Sequence, residues 1–229
     1  MLAVLYDIHG NLPALEAVLE DARGAGADRY VLGGDYTALG GWPLEVLAVL
    51  RELPRAEWIR GNWERWLASR DDVPDVPLLQ DAAEWTGGRL DDGTIAELSR
   101  LPQTTALDGT RFSHGSPISD MRSFMPEPAD DEEELIGGAT ERRLVFGHTH
   151  VQFRRQGPGG VDLVNPGSVG MPFDGDPRAA YALVADDGEL ELRRVSYDHE
   201  AAAAEVRRRM PAFADDVAER LTTALPPQQ

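Results

Sequence analysis

The stretch Leu2-Ala3-Val4-Leu5-Tyr6-Asp7-Ile8-His9-Gly10-Asn11 sets the pattern for the whole chain. Its first residues are apolar or aromatic and predict a β-strand, after which polar residues begin. Side chains two positions apart on an extended chain point the same way, so Asp7 and His9 can hold one ion together. The stretch therefore predicts a strand that carries a pair of potential metal ligands at its carboxyl end.

The alternation of strand and helix continues over the first third of the chain. Apolar residues at helical spacing predict a helix over Leu12–Arg23, and a second helix over Pro43–Leu53 has proline in its first turn. Short apolar runs predict strands at Arg29–Leu32 and Ala56–Ile59. This β-α-β-α-β order is typical of right-handed crossovers and a largely parallel sheet.

The rest of the chain is expected to add a second sheet to the first. A helix is predicted at Asp91–Leu101 and a strand–turn–strand at Thr105–Ser113, whereas the acidic residues 126–134 predict a solvated loop or an exposed helix start. The later strands look like an antiparallel meander, and they are Arg142–Phe146, Val151–Arg155, Val161–Val164, Tyr181–Ala185 and Glu189–Tyr197. Two C-terminal helices, His199–Arg209 and Phe213–Leu225, would complete a single domain over residues 1–229.

Two missing residue types exclude several classes of enzyme. The chain has no cysteine, which excludes disulfides, thiolate metal sites and a cysteine nucleophile. All 22 basic residues are arginine, because the sequence contains no lysine. A P-loop lysine, a Schiff-base lysine and a pyridoxal-phosphate lysine are therefore excluded as well.

The formal net charge of −18 makes anionic binding partners unfavourable. Such a field repels nucleic-acid backbones and anionic membranes, although an acidic surface can also serve solubility alone. No apolar stretch is long enough to cross a bilayer, and the first residues do not resemble a targeting signal. We therefore expect a cytoplasmic protein that does not bind membranes. Its charge also makes binding of large nucleic acids unfavourable.

Ligand-type residues recur after one predicted strand after another. Four of the five histidines stand beside glycine or beside another ligand-type residue. Because open α/β sheets place their sites beyond the carboxyl ends of the strands, these side chains should meet there. Each cluster alone is more typical of an ordinary turn, but five such clusters together indicate a site. The predicted metal ligands are Asp7, His9, Asp35, Asn62, His114, His148 and His150.

Seven donors exceed the needs of one tetrahedral ion and suit two ions of higher coordination that also hold water. A mixed set of carboxylate, amide and imidazole donors suits manganese, iron, cobalt, nickel or zinc better than calcium or magnesium. We expect two divalent ions, with manganese as the first choice and iron, zinc, cobalt or nickel as alternatives.

The order of these motifs resembles the calcineurin-like metallophosphoesterase superfamily. The resemblance runs from residue 2 to about residue 197, through Asp7-x-His9, Gly34-Asp35, Gly61-Asn62, His114-Gly115 and Gly147-His148-x-His150. The segments Asp7-Ile8-His9-Gly10-Asn11 and Asn165-Pro166-Gly167-Ser168 are similar to the small bacterial YfcE-like phosphodiesterase branch. This resemblance implies an α/β fold, a four-layer α/β/β/α sandwich with two mixed sheets.

The resemblance also implies a role for each residue of the site. Asp7, His9, Asp35 and His150 would hold the first ion, with Asp35 bridging to a second ion that Asn62, His114 and His148 complete. Asp35, Asn62 and His114 would also be catalytic. The Asn11 side chain and the Gly10 amide are candidates for contact with substrate phosphate. Arg122 is a third candidate, although an ordinary surface arginine is the simpler interpretation.

One tetrapeptide departs from the superfamily pattern. Many members have histidine after the Gly-Asn pair to protonate the leaving group, but this chain has Gly61-Asn62-Trp63-Glu64. An indole is not acidic enough for that task, which argues against a protein serine/threonine phosphatase. The YfcE-like branch also lacks this histidine, so the departure agrees with the resemblance.

We therefore predict a dinuclear-metal phosphodiesterase that hydrolyses small phosphodiesters, by attack of a metal-bridging hydroxide on phosphorus. The alternatives are a phosphomonoesterase acting on nucleotides and a metal-binding scaffold for protein interactions. Tyr36 and Trp42 are equally consistent with a base-binding wall and with packing, whereas His199 is interpreted as structural. A homodimer is plausible, with the C-terminal helix as one contact.

Overall fold

The predicted first strand, Leu2–Leu5 (β1), lies at the centre of a five-stranded sheet in the computed structural model, which describes residues 1–210 and 213–226. Helix α1 (Leu12–Gly24) leads to β2 (Arg29–Leu32), and helix α2 (Pro43–Arg51) leads to β3 (Ala56–Trp58). The three strands are parallel, with Val4 opposite Val31 and Leu32 opposite Trp58. The predicted β-α-β-α-β unit is therefore confirmed.

A second five-stranded sheet packs against the first. Its order is β4-β5-β6-β8-β7, with parallel pairs in the middle and antiparallel pairs at both edges. The strands are β4 (Thr104–Leu107), β5 (Thr110–Ser113), β6 (Arg143–Val145), β7 (Phe153–Gln156) and β8 (Asp162–Asn165). The predicted strand–turn–strand at residues 105–113 corresponds to the β4–β5 hairpin.

The prediction of one antiparallel meander for the later strands was wrong. Strand β8 pairs in parallel with β6, and only β7 is antiparallel to it. Strands β9 (Ala179–Val184) and β10 (Leu190–Val195) belong to the first sheet, where β9 pairs with β1. Alternation and turn residues indicate hairpins, but they carry no information about which sheet a hairpin joins.

The sequence did not predict two of the described helices, α3 (Asn62–Ala68) and α4 (Pro77–Gly87). The other described helices were expected, and they are α5 (Asp92–Ser99), α6 (Glu132–Ile136), α7 (His199–Arg209) and α8 (Ala214–Thr223). The acidic segment does begin a helix, but it is not fully solvated. Glu132 is buried, and it forms an ion pair with Arg155.

The side chains of β1 show how the layers stack. Ala3 and Leu5 pack in the large apolar cluster beneath the helices, whereas Leu2, Val4 and Tyr6 pack between the two sheets. A third cluster around Phe146 covers the outer face of the second sheet together with α6. The expected α/β/β/α sandwich with two mixed sheets is confirmed, with a thin outer layer on the second sheet. Among the described residues, no helix combines the length and apolar character needed to span a membrane.

Candidate metal centre

All seven predicted ligands lie just beyond the carboxyl ends of strands, as expected. The first sheet supplies Asp7 and His9 after β1, Asp35 after β2 and Asn62 after β3, whereas the second sheet supplies His114 after β5 and His148 and His150 after β6. Six of the seven are buried, and His148 is partly exposed. The two sheets thus converge on one polar, largely buried site.

The backbone bends sharply where it carries these side chains. Five of the predicted ligands have left-handed φ values, namely Asp7 (53°), His9 (49°), Asp35 (57°), His148 (69°) and His150 (59°). Such a conformation costs a non-glycine residue about 1–2 kcal/mol. Hydrogen bonds between the loops hold it, since the Asp7 amide donates to Gly34 and the His9 amide donates to Asp35. Strain concentrated in this way is characteristic of functional sites.

The first group of donors comprises Asp7, His9 and His150. The Nε2 atoms of the two histidines lie 3.1 Å apart, and His150 Nε2 lies 3.6 Å from Asp7 Oδ1. Each histidine directs Nδ1 at a backbone carbonyl, that of Ala38 for His9 and that of Met171 for His150. The proton of each neutral ring therefore resides on Nδ1, and two Nε2 lone pairs face each other. A cation between them would remove this repulsion.

The second group comprises Asp35, Asn62, His114 and His148. Asn62 Oδ1 lies 3.0 Å from both His114 Nε2 and His148 Nδ1. His114 directs its Nδ1 at the Gly33 carbonyl 2.9 Å away, so its Nε2 faces the site and, once it has lost its proton, can offer a lone pair to a cation. The amide oxygen and two ring nitrogens therefore converge on one point.

Asp35 lies between the two groups. Its Oδ2 is 3.8 Å from His9 Nε2 in the first group and 3.3 Å from His114 Nε2 in the second. Its Oδ1 accepts a hydrogen bond from the Trp63 amide, which fixes the orientation of the carboxylate. Asp35 is thus placed to contribute to both groups.

The unsatisfied atoms of the site test whether metal ions fit. Asp7 Oδ1 is fully buried and has no hydrogen-bond partner among the described residues, although its other oxygen accepts from the His148 amide. A buried, unpaired carboxylate oxygen is costly unless it coordinates a cation. With nitrogen lone pairs directed at the same space, the donor set fits two divalent ions of the kind that accept mixed oxygen and nitrogen ligands.

The site also shifts the pKa values of its own groups. Burial raises the pKa of Asp7 to about 8, and burial together with the charge of Asp35 raises that of Glu64 to about 7. Burial lowers the pKa of His148 to about 4. Burial alone would also lower the pKa of His114, but Asp35 and Asp7 outweigh it and raise that pKa to about 10.

These shifts predict that the metal-free protein loses stability as the pH rises from 6.5, the ordinary pKa of histidine, to about 8. In this window the folded protein keeps a proton on Asp7 and on His114. In the unfolded chain Asp7 has already lost its proton at lower pH, and His114 loses its proton above 6.5. Stability falls with rising pH wherever the folded state binds more protons, here by an amount on the order of 2 kcal/mol. The lowered pKa values of His9, His148 and His150 act mainly below this window and oppose the loss only at its lower end, whereas the raised pKa of Glu64, about 7, adds to the loss.

Chemical unfolding of EDTA-treated protein at the two ends of this pH window measures the effect. Protein loaded with Mn²⁺ should show a smaller change, because bound cations replace the protons. Metal-free protein that is more stable at the higher pH would contradict the expectation.

Glu64 is an important residue that the sequence analysis missed. Its buried carboxylate accepts backbone hydrogen bonds from Asp35, Tyr36 and Gly61 at 2.8–2.9 Å. It thereby ties the loop that carries Asp35 to the start of α3, which carries Asn62. An acidic residue three positions after Gly61 is a capping-box pattern and was the available signal.

The three residues predicted to contact substrate all have partners within the protein. The Asn11 side chain caps α1, and its amide group donates to Gly170 and Tyr197. The Gly10 amide donates to the Tyr36 carbonyl. The exposed Arg122 side chain pairs with Glu134 and Asp131. These donors are therefore engaged in this structure, and contact of the three residues with substrate stays a prediction.

Other residues singled out in the sequence have structural roles. Tyr36 is fully buried, and its hydroxyl proton is shared between the Leu32 and Ile59 carbonyls. Trp42 is buried beneath the Arg209 guanidinium, so packing explains both residues. The Asn165–Ser168 turn supports the ligand loops, since Asn165 donates to the Gly147 carbonyl and Ser168 Oγ donates to the Asp7 carbonyl at 2.6 Å. His199 begins α7, as expected of a structural residue.

Comparisons with known proteins agree with this geometry. The calcineurin-like phosphoesterase superfamily domain matches residues 1–188. The chain is 31% identical to phosphodiesterase YfcE of Escherichia coli, over 79% of this chain and 85% of that protein. It is 29% identical to an uncharacterised protein of Methanocaldococcus jannaschii, over 93% and 95% of the two chains. The crystal structure of a metallophosphoesterase from Sphaerobacter thermophilus superimposes with a TM-score of 0.82, at 27% identity and 98% coverage of both chains.

The two mixed sheets and the paired donor groups at their common edge place the protein in the class of metallophosphoesterases. The chain belongs to the calcineurin-like phosphoesterase superfamily. Phosphodiesterase YfcE is among its relatives, as the motif order predicted.

Proposed function

We propose that the protein is a dinuclear-metal phosphodiesterase that hydrolyses small phosphodiesters. The observation that carries the proposal is the complete donor set, with Asp35 placed between two groups that each include imidazole nitrogens. The name of its relative YfcE supports the choice of diesters. We propose manganese as the resident ion.

The residues of the chain have distinct tasks in this proposal. Two divalent ions, when bound, activate water and neutralise the charge that develops on phosphorus. His9, His114 and His150 are held by backbone carbonyls, so their Nε2 atoms face the site without rearrangement. Asp35 is oriented by the Trp63 amide. This preorganisation lowers the cost of assembling the reactive geometry.

Trp63 narrows the range of substrates. It stands where many relatives have an acidic histidine, and it is buried with its ring edge-on to Trp66 at 5.1 Å between centroids. An indole supplies no proton to a leaving group. The proposal therefore favours esters whose leaving group departs without such help. The negative charge of the chain disfavours large nucleic acids.

Hydrolysis of bis-p-nitrophenyl phosphate beside p-nitrophenyl phosphate tests the proposal. We expect the diester to be cleaved faster, only with added Mn²⁺ or a similar ion, and with a loss of at least about 100-fold in the His150→Ala variant. The His199→Ala variant, which changes a histidine outside the site, serves as the control. Faster cleavage of the monoester would favour the phosphomonoesterase alternative. No cleavage of either ester with any divalent ion would favour the scaffold alternative.

A cytoplasmic location and a homodimer stay predictions from the sequence.

A further inference from the structure

The C-terminal helix α8 ends beside the metal centre. The carbonyl of Ala224, just after the helix, accepts a hydrogen bond from the Gly175 amide at 3.0 Å. In the same loop, the Phe173 amide donates to the His150 carbonyl, and the Phe173 ring stacks on the His150 ring with 4.4 Å between centroids. The last turn of α8 is therefore tied to the loop that covers one of the predicted ligands.

Arg220 lies in this last turn of α8. Its carbonyl accepts a hydrogen bond from the Ala224 amide at 2.9 Å, and its side chain is half-buried. Its positive charge contributes to lowering the pKa of His9, so the guanidinium lies within electrostatic reach of the first group. Across residues 1–210 and 213–226 it forms no ion pair and no hydrogen bond, unlike Arg122 or Arg209. A partly desolvated guanidinium without a partner indicates a place for an anion.

A cleft of about 750 Å³ opens between Arg220 and the start of α4. Its walls include Val76, Leu78 and Leu225, and two of these are unusually exposed for large apolar residues, Val76 at 45% and Leu225 at 53%. This volume is typical of pockets for ligands of nucleotide size and is far larger than one phosphate group needs. The cleft can therefore take an organic group as well as an anion.

The charges that line the cleft limit what it can hold. Arg220 is accompanied by Asp216 and Glu219 from the same helix, so the three charged groups sum to about −1. A chain of phosphates would be repelled by the two carboxylates. These carboxylates can instead accept hydrogen bonds from hydroxyl or amino groups.

We propose that Arg220 is a substrate-binding residue, which contacts an anionic oxygen of the phosphodiester while the adjoining cleft holds one organic arm of the substrate. The substrate class is a diester with a single phosphate and a neutral, partly apolar arm of nucleoside size that carries hydroxyl or amino groups. This inference rests on the proposed function and adds a specificity element to it. The superfamily domain match ends at residue 188, so Arg220 and Leu225 lie beyond the match, whereas Val76 and Leu78 lie within it.

Binding of thymidine 5′-monophosphate, the nucleotide product of one such diester, tests the role of Arg220 without any turnover. Isothermal titration of Mn²⁺-loaded protein should show about tenfold weaker binding or more in the Arg220→Met variant, which keeps the apolar stem. The Arg208→Met variant is the control, because Arg208 is exposed on α7 and pairs with Glu205. The Arg220→Lys variant should recover part of the affinity. Unchanged affinity in a folded Arg220→Met variant would overturn the proposal.

A second pair of variants tests the cleft. Thymidine 5′-(p-nitrophenyl phosphate) carries a nucleoside arm, whereas bis-p-nitrophenyl phosphate does not. The Val76→Glu variant should raise KM for the nucleoside ester by about tenfold and change KM for the other ester less. The Leu44→Glu variant introduces the same charged side chain at another exposed apolar position, outside the cleft lining, and should alter neither KM. Equal effects of Val76→Glu on both esters would overturn the assignment of the organic arm.

The proposed function and the role of Arg220 can fail independently. If the wild-type protein hydrolyses no ester, the proposed function fails, and the nucleotide titration still decides whether Arg220 binds phosphate. If the wild-type protein hydrolyses diesters and the Arg220→Met variant binds and turns over like it, the proposed function stands and the inference on Arg220 is wrong.

Discussion

Replacement of Asp35 by asparagine is expected to reduce the metal-dependent hydrolysis of bis-p-nitrophenyl phosphate by at least about 100-fold. Mutation of a residue that only hydrogen-bonds to a metal ligand typically lowers metal affinity or activity about 10–100-fold, and loss of a ligand itself should have a larger effect. Asp35 is the residue whose Oδ2 lies near His9 in the first group and near His114 in the second. An amide in its place carries no charge and offers only one coordinating oxygen. Both ions should therefore be held more weakly.

The Asp35→Asn variant should remain folded. Asparagine has nearly the same shape as aspartate, and its oxygen can still accept the hydrogen bond of the Trp63 amide. The measurements are kcat/KM over a range of Mn²⁺ concentrations and thermal unfolding of the metal-free protein. Asp108→Asn, at an exposed turn between β4 and β5, is the matched control. Wild-type activity in the Asp35→Asn variant would remove Asp35 from the proposed site.

Replacement of Glu64 by glutamine is expected to lower the free energy of unfolding by about 2–4 kcal/mol. One oxygen of Glu64 accepts from Asp35 and Gly61, and the other accepts from Tyr36. The NH₂ group of glutamine would face at least one of these backbone N–H groups and leave it buried without an acceptor. The loops that carry Asp35 and Asn62 would lose their common anchor, so Mn²⁺ affinity should fall together with stability.

Urea unfolding and isothermal titration with Mn²⁺ measure the two effects. Glu97→Gln is the matched control, because Glu97 is exposed and pairs with Arg51 at the surface, where such a pair contributes little. A Glu64→Gln variant with wild-type stability and wild-type Mn²⁺ affinity would show that the carboxylate does not anchor the two loops.

The sequence predicted the parts of the molecule whose determinants are local. The strand before Asp7 and the helices that follow carry their own apolar spacing, so the parallel unit could be deduced from the first 60 residues or so. The predicted ligands meet because each directly follows a strand, and the carboxyl ends of parallel strands share one edge. The β9–β10 hairpin was also recognised, but its pairing with β1 was not, because pairing depends on contacts far apart in the chain.

The helices that were missed carry only part of the usual signals, namely the capping pattern of Glu64 in α3 and Pro77 in the first turn of α4. Helix α3 begins within the Gly61-Asn62 motif and contains two tryptophans in only seven residues, and α4 has Val76 at its N-cap instead of a capping side chain. The predicted phosphate contacts show a further limit. A sequence shows that Asn11 or Arg122 has donors, but not that those donors are engaged by Tyr197 or Glu134. Arg220 was not singled out in the sequence, because its position in the cleft depends on how α8 packs against the start of α4.

The division of the ligands between the two sheets has a consequence for assembly. Asp7 and His9 come from the first sheet and His150 from the second, and the other group is divided in the same way. Neither group therefore exists in a half-folded chain in which only one sheet has formed. Binding of an ion by a complete group therefore requires that the two sheets have docked. Two bound ions would then link the two sheets across their shared edge, so removal of the metal should weaken the contact between the sheets more than the pairing of strands within either sheet.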